Sequence, residues 1–287
     1  MSMKFYKYHG LGNDYLVYDL KENRGELNAE MIAMICNRNF GLGSDGILVG
    51  PFWKNGKPEV KIYNPDGSEA EKSGNGVRIF SKYLKDAGYV KEKHFLLQTL
   101  GGQVEVTYNN ESGSNLTVSM GRLDFSREAV GAVDVPEELS SVSLKFGGKF
   151  YDCTCVSIGN PHCVIKMSDI TKELVCQIGK YSETAEYFPR RINTQIVKVL
   201  DRNNIRIEIY ERGAGYTLAS GSSSCAAAGS MYRRGLVDSM VNVHMPGGVL
   251  KIEIKPDWNV HMTGEVASVG EMKLSKEFEL QLIQRKK

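Results

Sequence analysis

The sequence predicts a mixed α/β fold with mainly antiparallel sheet, arranged as two similar lobes. Three observations carry that expectation. Short alternating segments rich in Val, Ile, Tyr and Thr recur along the chain. Helical periodicity is confined to a few stretches between them. A Ser-Gly loop that opens a helix occurs twice, about half the chain apart: Ser73–Gly74–Asn75–Gly76 and Ser220–Gly221–Ser222–Ser223–Ser224.

The strand-like segments are Val60–Tyr63, Gln103–Tyr108, Leu116–Met120, Val156–Ile158, Cys163–Ile165, Ile205–Tyr210 and Leu250–Ile254. Each is bounded by Gly, Asn or Pro, as strands are. The helical stretches run Ala29 to Arg38, Gly76 to Ala87, Ile170 to Ser182 and Ser224 to Arg234. In the second, Val77, Ile79, Phe80, Tyr83 and Leu84 recur at helical spacing, and Gly88 follows as a C-cap. The last is built of Cys225, Ala226, Ala227, Ala228 and Gly229, so strands can enclose it tightly. The polar run Asn109–Asn115 reads as a hairpin tip. A domain change follows it, near Met120–Gly121. Identity between the halves is too low for sequence alone to establish a repeat.

Composition excludes several classes. The chain has 287 residues, 41% hydrophobic and 24% charged, with net charge +2. Such a balance gives no long-range reason to expect nucleic acid. The basic clusters Arg190–Arg191, Arg233–Arg234 and Arg285–Lys286–Lys287 lack interleaved aromatics and read as solvated surface. No apolar run approaches the ~20 residues of a membrane span, and no signal peptide precedes Phe5. The cytosol is the expected compartment. In that reducing setting the six cysteines read as thiols rather than disulfides. Cys153 and Cys155 share a strand face. No second pair completes a zinc set, so no metal is expected.

The two Ser-Gly loops are the first candidates for chemistry. A turn entering a helix leaves backbone N–H groups free, and the helix dipole favours an anion there. Gly74–Asn75 and Gly221–Ser222 are therefore carboxylate or phosphate cradles, or ordinary N-caps. Neither fits a P-loop, because no lysine follows in frame. Around them lie polar turns: His9–Asp14 (with Asn13), Tyr63–Glu69 (with Asn64), Gly159–His162 (with Asn160), Asn193 after Phe188–Pro189, and Glu211–Arg212 before Gly213. Each also has a bland reading as turn residues or a surface ion pair.

Taken together and in order, these motifs resemble the diaminopimelate epimerase family across nearly the whole chain. Pro246–Gly247–Gly248 and Gly264–Glu265–Val266 extend the match. The resemblance implies two similar lobes, each a curved, mainly antiparallel sheet around a central helix, with the site in the cleft between them. It divides the chain into a lobe of residues 1–120 completed by 273–287, and a second lobe of 121–272. It also implies no cofactor, neither pyridoxal phosphate nor metal, a small amino-acid substrate, and a homodimer. The family inverts Cα with two cysteines on opposite faces, one taking the proton and the other returning one. Inversion demands that geometry. On this pattern Gly74, Asn75, Gly221 and Ser222 hold the α-carboxylate. Asn13, Asn64, Asn160, Asn193 and Arg212 bind substrate, with the distal carboxylate on Arg212. His162 and Glu211 tune the acid/base pair.

The acid/base positions themselves are Ser73 and Ser220. A hydroxyl is a far weaker acid than a thiol and needs help to act. Pro65 and Tyr216 also depart from the family pattern, and Tyr216 is expected to border the cleft. The leading expectation is a two-base epimerase of LL- or meso-diaminopimelate, serving lysine and peptidoglycan precursor synthesis, or of a related amino acid. The alternatives are an inactive or altered form that binds an amino acid without turnover, and an eliminase or racemase acting on another amino acid.

Overall fold

A computed structural model describes residues 2–71 and 73–284. The tail Arg285–Lys286–Lys287 lies outside the described residues. The elements in chain order are β1 (Lys4–Gly10), β2 (Asn13–Asp19), α1 (Ala29–Cys36), β3 (Ile47–Lys54), β4 (Lys57–Tyr63), β5 (Glu69–Ala70), α2 (Gly74–Asp86), β6 (His94–Thr99), β7 (Gly102–Tyr108), β8 (Asn115–Arg122), α3 (Arg127–Val130), β9 (Val142–Phe146), β10 (Lys149–Ser157), β11 (Pro161–Lys166), α4 (Lys172–Ser182), β12 (Asn193–Asp201), β13 (Asn204–Glu211), β14 (Gly215–Thr217), α5 (Gly221–Arg233), β15 (Met240–Met245), β16 (Gly248–Ile254), β17 (Asn259–Glu265), β18 (Ala267–Lys273) and α6 (Lys276–Gln284). Among the described residues, no helix is long and apolar enough to cross a membrane.

The chain divides into two compact units, Met1–Val118 with Gly264–Lys287, and Ser119–Thr263. The sequence puts the return to the first lobe at 273, but the chain returns at Gly264. The reason is β18, which is hydrogen-bonded antiparallel along β1, with Phe5 opposite Met272 and Tyr6 opposite Glu271. Six of its seven residues are exposed, so no apolar alternation marks it in the sequence.

Within the first unit the pairings run β18–β1 antiparallel, β1–β2 antiparallel, β2–β3 parallel, β3–β4 antiparallel, β4–β6 parallel, β6–β7 antiparallel and β7–β8 antiparallel. Within the second they run β9–β10 antiparallel, β10–β11 antiparallel, β11–β12 parallel, β12–β13 antiparallel, β13–β15 parallel, β15–β16 antiparallel and β16–β17 antiparallel. The two successions are identical. In each unit the first parallel step carries an outer helix, α1 or α4, and the second carries a short strand followed by a central helix, α2 or α5. A parallel step needs such a crossover. The repeat that the Ser-Gly echo suggested is thus written in the topology.

The central helices are buried on nearly every side. In α2 the run from Asn75 to Leu84 is buried throughout. In α5 only Ser222, Tyr232 and Arg233 escape burial. Some of their buried hydroxyls bond to the preceding turn: Ser81 Oγ donates to the Val77 carbonyl at 2.7 Å and Ser224 Oγ to the Ser220 carbonyl at 2.8 Å. Small residues let α5 sit close to its strands, and Gly229 lies against Leu123. The outer helices close separate apolar clusters. Met31, Ile32 and Ile35 of α1 pack with Phe5, Leu16 and Leu282, and Val175 and Ile178 of α4 pack with Phe146, Phe188 and Ile196. Cys153, Cys155 and Cys163 all lie in the second cluster, which agrees with the shared strand face. Among the described residues, no group of three or more His, Cys, Asp or Glu is placed to hold a metal ion.

Candidate active site

The hairpin joining β1 and β2 turns through Leu11 and Gly12, both at positive φ (58° and 85°), the mark of a type I′ turn. It brings Asn13 and Asp14 to the N-terminus of α2. Asn75 Nδ2 donates to Asn13 Oδ1 at 2.9 Å, and Asn13 Nδ2 donates to Asp45 Oδ2 at 2.8 Å. Buried Arg78 donates to Asn75 Oδ1, and Arg38 donates to both Asp45 and Asp14. Lys7 pairs with Asp14 at 2.8 Å. Burial would raise the Asp14 carboxyl, but Arg38 and Lys7 outweigh it and hold it below its usual range. A chain of donors thus runs from Arg78 through two asparagines to Asp45. Each bond polarises the next, which makes the hairpin a rigid seat for α2.

At the head of α2, Ser73 is the N-cap, and its Oγ accepts from the Gly76 N–H at 3.0 Å. The Gly74 and Asn75 N–H groups belong to the first turn, which has no intrahelical acceptor for them. Tyr15 Oη lies 3.2 Å from Ser73 Oγ. Asn64 is more distant in role. It is exposed in its own turn, where its Nδ2 donates to Ser68 Oγ at 3.0 Å.

The second unit repeats the device. Ser220 is the N-cap of α5 with backbone angles close to those of Ser73 (φ −148°, ψ 127° against φ −135°, ψ 120°). Its Oγ accepts from the Ser223 N–H at 3.4 Å, and Gly221 and Ser222 form the first turn. Asn160 Nδ2 reaches Ser222 Oγ at 3.5 Å, and Asn160 Oδ1 accepts from His162 Nε2 at 3.0 Å. Asn193 is buried and fully used: its Nδ2 donates to the Pro161 carbonyl at 2.9 Å and its Oδ1 accepts from the Arg212 N–H at 3.0 Å. Glu211 and Arg212 sit where β13 turns into β14, a turn closed by the Ala214 N–H on the Glu211 carbonyl. The Arg212 side chain is exposed and donates to the Arg190 carbonyl at 3.0 Å.

Two of the expected residues have specific settings in the second unit. His162, expected as a proton partner, is fully buried and engaged with Asn160. Burial, reinforced by the charge of Arg212, pushes it down to about 3. It stays neutral and serves to orient Asn160 toward α5. Its Nδ1 and Gln195 Oε1 are both buried without a hydrogen bond. Turning the Gln195 amide presents its N–H to Nδ1 and its oxygen to Ser223 Oγ, which satisfies both. Tyr216, expected at the cleft, packs its ring on the α4 cluster under Lys172 and donates its hydroxyl to buried Glu208 at 2.9 Å. Sequence reasoning missed Tyr15, Arg38, Asp45 and Arg78. Asp45 stands in the Gly-rich turn Gly43–Ser44–Asp45–Gly46, which carried a signal that was not singled out, whereas Tyr15, Arg38 and Arg78 lie outside the polar turns.

A depressed histidine has a stability consequence. Between its folded value near 3 and the ordinary 6.5, the unfolded chain binds a proton that the folded chain refuses. Stability is therefore complete above about pH 6.5 and falls as pH drops, by up to about 1.4 kcal/mol per unit. From pH 7.5 to pH 5.0 that amounts to a loss of about 2 kcal/mol. Urea midpoints at the two pH values should show it, and His162→Gln should flatten the difference. An unchanged slope in the variant would assign the loss to another group.

Comparison with known proteins agrees with this architecture. The profile of the family described as diaminopimelate epimerase matches residues 5–126 and 154–269. A relative named diaminopimelate epimerase 2, from Nostoc, is 48% identical over 96% of each chain. The diaminopimelate epimerase of Moorella thermoacetica is 35% identical over 93% of this chain and 97% of its own. Among solved structures, a hydroxyproline epimerase from Agrobacterium vitis with bound trans-4-hydroxy-L-proline superposes with TM-score 0.64 at 13% identity, over 95% of this chain and 90% of that one. That likeness is one of fold, whereas the sequence match spans both central helices and both serine caps. The chain belongs to the diaminopimelate epimerase family and is an amino-acid epimerase by class.

Proposed function

We propose that the chain epimerises LL- and meso-diaminopimelate without a cofactor, with Ser73 and Ser220 as the two acid/base residues. The observation that carries this reading is the duplicated cap. Two helices of equal length each begin with a serine whose Oγ is bonded to its own helix, ahead of two N–H groups without helical acceptors. Relatives named for diaminopimelate lend the substrate.

In this mechanism the α-carboxylate lies on the N–H groups of Gly74, Asn75, Gly221 and Ser222. Both helix dipoles then oppose the charge that grows as Cα loses its proton. One serine acts with its own hydroxyl proton already removed, so its oxygen takes the Cα proton while the other hydroxyl gives its proton to the opposite face; one proton enters the pair and one leaves, and the negative charge passes from the first oxygen to the second. Arg212 takes the distal carboxylate, a match for its planar fork. Asn193 holds the Arg212 turn, Asn13 and Asn75 hold the hairpin to α2, and Asn160 with His162 holds the head of α5. Asn64 lines the site from its exposed turn, and Glu211 borders Arg212 as a charge partner for the substrate ammonium.

The test is Cα proton-to-deuterium exchange of LL- and meso-diaminopimelate in D₂O, followed by NMR. Exchange well above a no-enzyme blank, with interconversion of the two isomers, is expected. Binding of either isomer by calorimetry with no exchange would favour a protein that holds the amino acid without turnover. A keto product would mean elimination.

A further inference from the structure

We propose that Tyr15 and Ser73 form a proton relay, in which the Tyr15 hydroxyl sets the acidity of whatever group occupies position 73. The proposal rests on the reading above that residue 73 is one of the two acid/base positions.

Tyr15 lies on β2, one residue beyond the Asn13–Asp14 hairpin, and is 7% exposed. Its ring is wedged against Gly46. A Cβ on Gly46 would stand 2.6 Å from the ring and 2.4 Å from the Tyr63 carbonyl, so only glycine leaves the ring its place. Its hydroxyl is 3.2 Å from Ser73 Oγ, which also accepts from the Gly76 N–H at 3.0 Å. With serine at position 73 the phenol is the more acidic partner and carries the charge when the pair ionises, whereas a thiolate there would receive two donors, the Tyr15 hydroxyl and the Gly76 N–H, at a helix N-terminus. That arrangement stabilises negative charge on the sulfur.

The surrounding charges are otherwise committed. Charged or titratable side chains on the neighbouring elements include Lys7 and Tyr8 on β1, Asp14 on β2, Asp45 before β3 and Arg78 on α2. Tyr8 donates to Asp86, Asp14 and Asp45 are tied to Arg38, and Arg78 is tied to Asn75. Tyr15 is the titratable group whose contact with Ser73 Oγ is direct.

A phenol, with an ordinary pKa near 10, is deprotonated far more readily than an aliphatic alcohol. The proton balance of the relay is simple. Ser73 Oγ takes the proton from Cα as it passes its own proton to the Tyr15 phenolate. The Cα–H and old Oγ–H bonds break, new Oγ–H and Oη–H bonds form, and the electron pair stays on Cα. The return step reverses each transfer. Tyr15 is thus a positioning residue that acts through Ser73.

Tyr15→Phe removes one oxygen and keeps the ring, so the fold is not at risk. The deciding measurement uses Ser73→Cys with and without Tyr15→Phe. The rate of alkylation of the thiol at position 73 by iodoacetamide is followed against pH by peptide mass spectrometry. A hydrogen bond to a charged group shifts its pKa by about 1 to 2 units, so the thiol pKa should rise by that amount when the phenol is lost. Equal pKa values in the two backgrounds overturn the proposal. In the chain with Ser73, Cα exchange should rise with pH, and Tyr15→Phe should abolish that rise. A shifted thiol in a chain inert toward diaminopimelate would sink the substrate reading and leave the coupling of Tyr15 to residue 73 standing.

Discussion

Changing Ser73 and Ser220 together to cysteine should raise Cα proton exchange of diaminopimelate by about 10²- to 10⁴-fold, the usual range for a competent acid/base pair. A free thiol ionises near pH 8.5 and lower still at a helix N-terminus. A hydroxyl does not reach that range without a partner. Cysteine keeps the shape of serine, so the caps at α2 and α5 remain in place. The Gly76 and Ser223 N–H groups that now bond Oγ would face sulfur. A weaker cap costs about 0.5–2 kcal/mol per helix, which is small beside burial as complete as that of α2 and α5. Each single change should give far less than the pair, because inversion needs a donor on one face and an acceptor on the other. Exchange by NMR, with thermal unfolding as a control for folding, reads the outcome. A folded double variant no faster than the parent would show that neither serine stands at a proton-transfer position.

How far the sequence reveals this molecule depends on which forces leave a local trace. The strands and the central helices were legible because burial imposes a period and the caps impose a residue type. Ser73 and Ser220 are N-caps by the oldest rule of helix ends, and both are caps here. β18 was illegible because an exposed strand held by backbone bonds to β1 needs no apolar pattern. The duplication was legible only as two loops, since topology is conserved by hydrogen bonding rather than by side-chain identity. The polar turns were found because Asn and Gly announce turns. The groups behind them were not. Tyr15 reaches Ser73 across 58 residues, and Arg38, Asp45 and Asp14 meet through the hairpin fold. His162 is the reverse case: residue type suggests a base, and only the structure shows its imidazole buried, neutral and bonded to Asn160.

Arg212→Ala should weaken diaminopimelate about 10- to 100-fold, the worth of a hydrogen bond to a charged group, with KM rising and kcat changing less. The turn that carries Arg212 is held from beneath. Asn193 accepts its N–H, and the Gly213 N–H donates to Glu183 Oε1 at 2.8 Å. Glu183 also pairs with Arg191 at 3.4 Å. The guanidinium is exposed and donates to the Arg190 carbonyl, which leaves a fork of further donors for a ligand. Removing an exposed side chain costs the fold little, so a loss of affinity reports recognition rather than stability. Arg212→Lys should recover only part of it, since a point charge cannot repeat a planar fork. The decisive comparison is with an amino acid that has an α-carboxylate but no distal one, such as alanine. If Arg212 reads the distal group, the slow exchange of alanine is unchanged by Arg212→Ala while that of diaminopimelate collapses. Equal losses for both would move Arg212 to the α-carboxylate, and the N–H groups of α2 and α5 would then share that anion with a side chain.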